Sequence, residues 1–130
     1  MAYIGYVDEQ FYRDVYKGVS IPSDDIGRML IQASRHIDSL TFNRIVAKGF
    51  DNLTVFQKDI IKEVICRQAD FEYENADIID TVLQGYSING VSMQFNGSSW
   101  NVYVDKGIAI KKYLYSLLSQ TGLTSRLVGV

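Results

Sequence analysis

The clearest pattern in the chain is a helical one that begins just after Pro22. Apolar residues recur at alternating steps of four and three, while polar side chains occupy the opposite face. This apolar stripe consists of Ile26, Leu30, Ala33, Ile37 and Leu40. Such a period places all five on one side of a helix, with Ser23 as its cap and acidic residues in its first turn. The pattern predicts an amphipathic helix over residues 24–41 that runs on to Ile45.

A second long helix is predicted after a loop at residues 48–52. Thr54 and Gln57 have the spacing of a capping box, in which each side chain bonds the backbone N–H of the other residue. The apolar face that follows comprises Phe56, Ile60, Ile61, Val64, Ile65 and Ala69. Because neither amphipathic helix buries its stripe alone, we expect the two helices to pack against each other.

Two shorter stretches have weaker helical patterns. Asp8 is placed to cap a helix over residues 9–16, in which Phe11 and Val15 share one face, with Tyr12 as a further candidate for that face. Residues 76–81 are ambiguous and fit a frayed extension of the second long helix.

Further along, the period changes from helical to alternating. Over residues 85–95, apolar and polar side chains alternate on both sides of Asn89-Gly90, a dipeptide that strongly favours a two-residue hairpin turn. We therefore predict a β-hairpin, which either folds over its own helices or pairs with another chain. Residues 96–99 are predicted to form a flexible loop, and Trp100–Val104 a short strand or extended run. The hairpin residues proposed to meet a partner are Tyr86, Ile88, Asn89, Gly90, Val91 and Met93.

The last helix is predicted to have Asp105 as its cap and to end at Gly122, which accepts a left-handed conformation at low cost. Its apolar positions are Ile108, Ile110, Tyr113, Leu114, Leu117 and Leu118. Residues 123–130 are apolar and lack a helical period, so they are predicted to form a tail that either frays or binds a partner. The tail residues proposed to bind are Leu123, Thr124, Ser125, Arg126, Leu127 and Val128.

Together these elements predict a mainly α protein. We expect a small bundle of about four helices with an inserted β-hairpin and an extended C-terminal tail. A chain of 130 residues has the usual size of one domain. Residues 1–122 are assigned to that domain and residues 123–130 to the partner-binding tail.

Composition narrows the classes of function. Hydrophobic residues make up 47% of the chain and charged residues 22%, as in an ordinary folded domain. The net charge is −2 with no basic stripe, which disfavours binding of nucleic acid through its phosphates. The first residues lack the basic region of a signal peptide, and no segment approaches the roughly 18 apolar residues of a membrane span. We therefore expect a cytoplasm-like compartment, and we expect Cys66 to be a buried apolar side chain.

Motifs for catalysis are not evident. His36 is the single histidine and is predicted to lie at the boundary of the helix surface. The densest acidic stretch lacks the spacing of a calcium loop and is predicted to be a solvated surface. It contains Asp70, Glu72, Glu74, Asp77 and Asp80. No glycine-rich segment has the form of a nucleotide-binding loop. We expect no catalytic residue, no cofactor and no metal site, and hence a protein that is not an enzyme.

Several short motifs resemble the head–tail connector (adaptor) proteins of tailed bacteriophages. The first is Ala33-Ser34-Arg35-His36-Ile37-Asp38, within the helix that starts at Ile26. Leu53–Lys62, followed by Cys66–Ala69, is similar to the second helix of that family. Gly85–Ile88 is similar to its hairpin entry, and Gly122-Leu123 followed by Arg126 to its tail. The similarity spans most of the chain from Ser23 onwards.

The resemblance implies a structural virion protein, assembled in the host cytoplasm, that lies at the head–tail interface. It implies a homo-oligomeric ring of about twelve copies beneath the portal protein, with an interface between two different faces of the subunit. DNA would pass through the ring without specific binding, and the ring would dock a stopper or tail-completion protein. The tail would enter the portal, and the hairpin would face the lumen or a neighbouring subunit. Tyrosines expected at the contacts are Tyr3, Tyr6, Tyr12 and Tyr16.

Three other functions are compatible with parts of the pattern. One is a phage head-closure or tail-completion protein of similar size, although such proteins are more often rich in β-structure. Another is a small cytoplasmic regulator that dimerises through its helix pair and binds a protein or nucleic acid. It predicts a basic face, which the charge distribution along the sequence does not show. The third is an enzyme, which would require a cluster of perturbed carboxylates in a pocket.

Overall fold

Helices dominate the architecture, and a small antiparallel sheet packs against α4 and α5. The computed structural model describes residues 5–85, 92–95 and 98–125. The α-helices are α1 (Ser23–Leu40), α2 (Arg44–Lys48), α3 (Val55–Glu74), α4 (Ala76–Gly85) and α5 (Lys112–Ser119). The strands are β1 (Ser92–Phe95), β2 (Ser98–Asp105) and β3 (Ile108–Lys111). A π-helical segment (Phe11–Val15) precedes α1, and a 3-10 turn (Phe50–Asn52) precedes α3. The prediction of a mainly helical fold with an inserted β-element is confirmed.

Helix α1 begins one residue earlier than the sequence predicted. Pro22 is extended (ψ 153°), and Ser23 is the first helical residue rather than the cap. The Ser23 hydroxyl instead accepts a hydrogen bond from Arg13 Nη2 at 2.8 Å. The predicted apolar stripe is buried throughout: Ile26, Leu30, Ala33, Ile37 and Leu40 are each at most 1% exposed.

The same helix also ends sooner than predicted, at Leu40 rather than Ile45. The hydroxyl of Thr41 is buried and donates to the carbonyl oxygens of Ile37 and Asp38. Phe42 and Asn43 then both adopt left-handed backbone angles (φ 58° each), which no α-helix can continue. The chain restarts as the short helix α2 at Arg44.

Helix α3 confirms the predicted capping box. Thr54 Oγ1 accepts from the Gln57 backbone N–H at 3.1 Å, and Gln57 Oε1 accepts from the Thr54 N–H at 3.0 Å. Helix α3 packs against α1 and α5. It stops at Asn75, whose side chain donates to the Phe71 carbonyl, and the ambiguous residues that follow form a separate helix, α4.

The sheet corrects the sequence analysis in two places. Its strand order is β1-β2-β3, all antiparallel. The prediction of a loop at residues 96–99 was wrong for Ser98 and Ser99, which belong to β2, whereas the predicted strand at residues 100–104 is confirmed. The predicted start of the last helix at Asp105 was also wrong, because residues 108–111 form β3 and α5 begins only at Lys112.

The cause of the second error is the turn between β2 and β3. Lys106 (φ 54°) and Gly107 (φ 75°) both have positive φ, as in the two-residue turns that best connect twisted strands. Val104 is paired with Ala109 across this turn, and both lie with Val102 in a small core cluster on one face of the sheet. Ile108 and Ile110 lie on the opposite face, in the main core, so they belong to a strand and do not extend the helical stripe of α5.

The predicted hairpin around Asn89-Gly90 lies largely outside the described residues, since Tyr86, Ile88, Asn89, Gly90 and Val91 are all among residues 86–91. Its remaining residue, Met93, lies on β1 and is paired with Trp100 of β2. Among the described residues, β1 therefore pairs with β2, the strand that follows it in the chain.

The main core lies between α1, α3, β3 and α5. Its largest fully buried side chains include Tyr12, Ile21, Ile26, Leu30, Ile37, Leu40, Ile45, Ile61, Ile65, Ile110 and Leu118. Cys66 is also fully buried, which confirms the prediction of an apolar packing role, and burial raises the pKa of its thiol to about 12. No helix in the described part of the chain is both long enough and apolar enough to cross a membrane.

The π-helical segment turns a different face to the core than predicted. Asp8 Oδ1 accepts from the Phe11 N–H at 2.9 Å, as expected of a cap. The wider turn, closed by the Tyr16 N–H on the Phe11 carbonyl, buries Tyr12 completely and leaves Val15 65% exposed. Phe11 and Val15 do line a common surface, as predicted, but that surface is open to solvent, and Tyr12 is the side chain that enters the core.

Candidate functional site

The predicted tail begins inside the folded body. Leu123 is 6% exposed in the main core, and Thr124 is 8% exposed. The Leu123 carbonyl accepts from Arg44 Nη1 at 3.0 Å, and Gly122 has the left-handed φ of 78° predicted for it. The boundary at residue 122 is thus corrected: the body continues through Thr124.

Of the other proposed tail residues, Ser125 is half-buried. The remaining three, Arg126, Leu127 and Val128, lie outside the described residues. A tail that reaches a partner therefore starts after Thr124.

The acidic stretch predicted to be solvated contains a buried polar cluster instead. Glu72 is 6% exposed and is surrounded by three polar side chains. Gln32 Nε2 donates to one carboxylate oxygen at 3.0 Å, while His36 Nδ1 (2.5 Å) and Gln68 Nε2 (2.7 Å) contact the other. Gln68 Nε2 also donates to the Ala109 carbonyl at 2.9 Å, which links α3 to β3. These contacts define the Glu72 cluster, which joins α1, α3 and β3.

A cleft of about 300 Å³ opens beside the Glu72 cluster. A histidine paired with a carboxylate is typical of catalytic triads, where the histidine also contacts a nucleophile. The described residues that line this cleft include no serine, threonine, cysteine or lysine. Among the described residues, no group of three or more metal-ligating side chains is placed to hold a metal ion. The geometry of the cluster therefore supports a structural role, with His36 one-third exposed at the boundary, as predicted.

A second cluster links the N-terminal segment to α3. Tyr12 and Tyr16 donate from their hydroxyls to the two oxygens of Asp70, at 2.5 and 2.8 Å. The Tyr12 hydroxyl also accepts from the Ile21 N–H at 3.3 Å. Burial, and then the hydrogen bond to the Asp70 carboxylate, raise the pKa of Tyr12 to about 12 and raise the pKa of Tyr16 as well. These tyrosines therefore anchor the segment, and the prediction of Tyr12 as an exposed contact residue was wrong.

The raised pKa values predict alkaline lability. Unfolded tyrosines lose their protons near pH 10, whereas Tyr12 keeps its proton until about pH 12 in the folded protein. Unfolding then releases protons, so the free energy of unfolding should fall as the pH rises through this window. Urea titrations at successive pH values would measure the slope. Tyr16→Phe removes one of the two hydroxyls bonded to Asp70, so its free energy of unfolding should fall less steeply with pH. Tyr113→Phe, at an exposed position, is the matched control. Equal slopes for wild type and Tyr16→Phe would contradict the assignment.

Large apolar side chains remain at the surface although the core is closely packed. Among the described residues, those exposed are Val15, Val19, Ile31, Phe42, Val46, Val55, Phe56 and Tyr113. Single exposed apolar residues are ordinary, but clusters of them within clefts mark contact surfaces. Two such surfaces can be defined on this molecule.

The first surface, here called the α1 groove, is a cleft of about 770 Å³ along the outer face of α1 and the start of α2. Ile31 (41% exposed) and Val46 (59% exposed) supply its apolar surface. Arg28 and Arg35 also line it. The carboxylate that lines it, Asp38, is only 4% exposed and accepts from the Tyr6 hydroxyl. The accessible charge in the groove is therefore positive.

The second surface, here called the acidic rib, is the π-helical segment itself. Phe11 and Val15 line two separate clefts, of about 480 and 300 Å³, so they form a rib between them. The rib is flanked by Asp8, Asp14, Asp59 and Glu63. Arg13, within the segment, is paired with Glu9. Two further cations border the rib: Lys62 lies over the Phe11 ring, and Arg67 is bonded to Glu63. Carboxylates therefore outnumber cations along the rib.

Neither surface was predicted from the sequence, although the sequence contains a signal for one of them. Ile31 lies off the buried stripe of α1, among polar side chains, and an apolar residue on the polar face of a helix indicates an exposed contact. The rib had no such signal, because only the π-helical turn places Val15 outside the core.

Comparison with known proteins gives no match among protein-family models, curated proteins or solved structures. The likeness to phage connectors therefore rests on the short sequence motifs.

Proposed function

We propose that the chain is a structural protein of tailed bacteriophages, of the head–tail connector type. In this role, copies of the chain form a ring beneath the portal protein, extend the DNA channel and dock the stopper or tail. The protein would reside in the virion after assembly in the host cytoplasm. The motifs from Ser23 onwards support the family, and the helical fold agrees with the family's fold.

One observation carries the proposal: a complete core coexists with apolar clusters on separate faces. The α1 groove and the acidic rib share no residue, and both expose aliphatic side chains beside charges. A catalytic protein needs one cleft with converging reactive groups. A subunit of a ring needs two different contact faces instead. The distribution of exposed apolar surface favours the second type of protein.

Docking to the portal would be multivalent. A tail of a few residues buries too little area to bind tightly by itself. About twelve tails held in one ring bind with a high effective concentration, because the first contact brings the others within reach. The tail that does this starts after Thr124, since Leu123 and Thr124 are buried in the body.

Deletion of residues 126–130 should abolish docking to a matching portal and leave the fold intact. The deletion spares Leu123, whose carbonyl is bonded to Arg44, so the circular dichroism spectrum and the unfolding transition should be unchanged. The measurement is electron microscopy and co-sedimentation of the chain with purified portal. A second test variant keeps the length of the tail but carries Leu127→Ser and Val128→Ser, and it should weaken docking nearly as much. Undiminished docking of the truncated chain would refute the tail assignment.

The other virion functions and the regulator remain weaker proposals. A head-closure or tail-completion protein is less compatible with a mainly helical body. A dimeric regulator would use one self-complementary face, whereas this chain has two dissimilar ones.

A further inference from the structure

We propose that the acidic rib of one copy seats in the α1 groove of the next copy of this chain. The inference rests on the proposed ring, and it names the two faces by which the ring would close. The occupant of the groove is thus a second copy, chosen because its rib has the complementary charge and an apolar edge.

The charges of the groove and the rib are complementary. The accessible charged residues of the groove are Arg28, which is exposed and bonded to Asp25, and Arg35. The rib offers Asp14 and Asp59 close to its apolar edge. Opposite charges across an interface steer the encounter and fix its register. They would hold the rib in one orientation within the groove.

The groove and the rib also match in their exposed apolar side chains. Ile31 and Val46 are exposed within the groove, and Val15 is exposed at the crest of the rib. Each patch alone leaves aliphatic surface in water, which costs free energy in proportion to its area. Seating the rib in the groove removes both patches from water at once, with the charged residues at the rim, as in ordinary interfaces.

Pairing of identical faces is disfavoured by the same charges. Two grooves facing each other would bring the Arg28 and Arg35 side chains of both copies together. Two ribs facing each other would do the same with the carboxylates of Asp14 and Asp59. Like charges in contact oppose association. A contact between unlike faces is therefore favoured, and such a contact propagates into a closed ring or an open filament.

Charge-reversal variants test the interface. Arg28→Glu with Arg35→Glu reverses the groove, and Asp14→Lys with Asp59→Lys reverses the rib. Each pair should weaken self-association of the full chain about a hundredfold, measured by sedimentation velocity and mass photometry. The variant with all four substitutions should regain assembly, and so should an equal mixture of the two double variants, because each reversed face then meets an opposite one.

The matched control is Lys111→Glu with Lys112→Glu, which changes the charge by the same amount outside both faces. It should assemble like wild type. Circular dichroism and urea unfolding confirm that each variant is folded. Four results would overturn the inference: a wild type that stays monomeric at its highest soluble concentration, double variants that assemble normally, a control that fails alongside them, or no recovery on combining the reversals. Wild-type rings that never dock to a portal would instead sink the proposed virion function and leave this interface standing.

Discussion

Replacing Glu72 with alanine should lower the free energy of unfolding by about 3 kcal/mol. The carboxylate is buried and holds Gln32, His36 and Gln68 around it. Its removal leaves the fully buried Gln68 amide with only the Ala109 carbonyl, and Gln68 Oε1 already lacks a partner among the described residues. Gln32 and His36 are partly exposed and can turn to water, so the loss arises mainly at Gln68 and from the cavity. Chemical denaturation at neutral pH would measure the change.

Glu74→Ala is the matched control, because Glu74 is one half-turn further along α3 and exposed. Its bond from the Ser20 hydroxyl, at 3.2 Å, lies at the surface, so the expected change is within about 0.5 kcal/mol. A double-mutant cycle of Glu72→Ala with His36→Ala would isolate their coupling, which should be favourable. If Glu72→Ala were as stable as Glu74→Ala, the cluster would not hold α1, α3 and β3 together.

The long helices could be predicted from the sequence because their signals are local. The stripe of α1 repeats within one turn, and the capping box of α3 involves residues three apart. Both signals arise from backbone geometry that a few neighbouring residues determine. The end of α1 was missed, since the pair of left-handed residues Phe42 and Asn43 has no strong signature in the residue types.

The sheet was harder to predict because strand pairing is not local. Ile108 and Ile110 are two residues apart, which suits a strand face, yet the Leu-rich stretch that follows them has a helical period. Only the pairing with β2, through the turn at Lys106-Gly107, decides in favour of a strand. In the sequence, the glycine at position 107 indicated a turn at this point.

The Glu72 cluster could not be predicted from the acidic stretch alone. Glu72 is buried because Gln32 and His36 of α1 meet it from positions 40 and 36 residues away in the sequence. A partial signal exists, since Glu72 follows Ile65 and Gln68 along the buried side of α3. A charged residue on an apolar face indicates a partner, but the identity of the partner comes from the tertiary fold.

Gly18→Ala should destabilise the protein by about 3 kcal/mol, because the added methyl group would collide with the ring of Tyr12. An ideal Cβ at Gly18 would fall on that ring, 2.6 Å from Cε2. The ring cannot retreat, because Tyr12 is fully buried and its hydroxyl is bonded to Asp70 and to the Ile21 N–H. The expected effect is a lower urea midpoint with the same slope.

Gly27→Ala is the matched control. It makes the same substitution at a position where an added Cβ would meet no atom within 4 Å beyond its chain neighbours and its own helix backbone. Gly27 is exposed inside α1, so alanine there should raise the stability by about 0.5–1 kcal/mol. Opposite signs for the two variants would separate crowding at Tyr12 from the general effect of glycine on the unfolded chain. Since Tyr12 anchors the π-helical segment, Gly18→Ala should also displace the acidic rib and weaken self-association, while Gly27→Ala leaves it unchanged. A stable Gly18→Ala protein that assembles normally would show that the rib does not depend on this anchor.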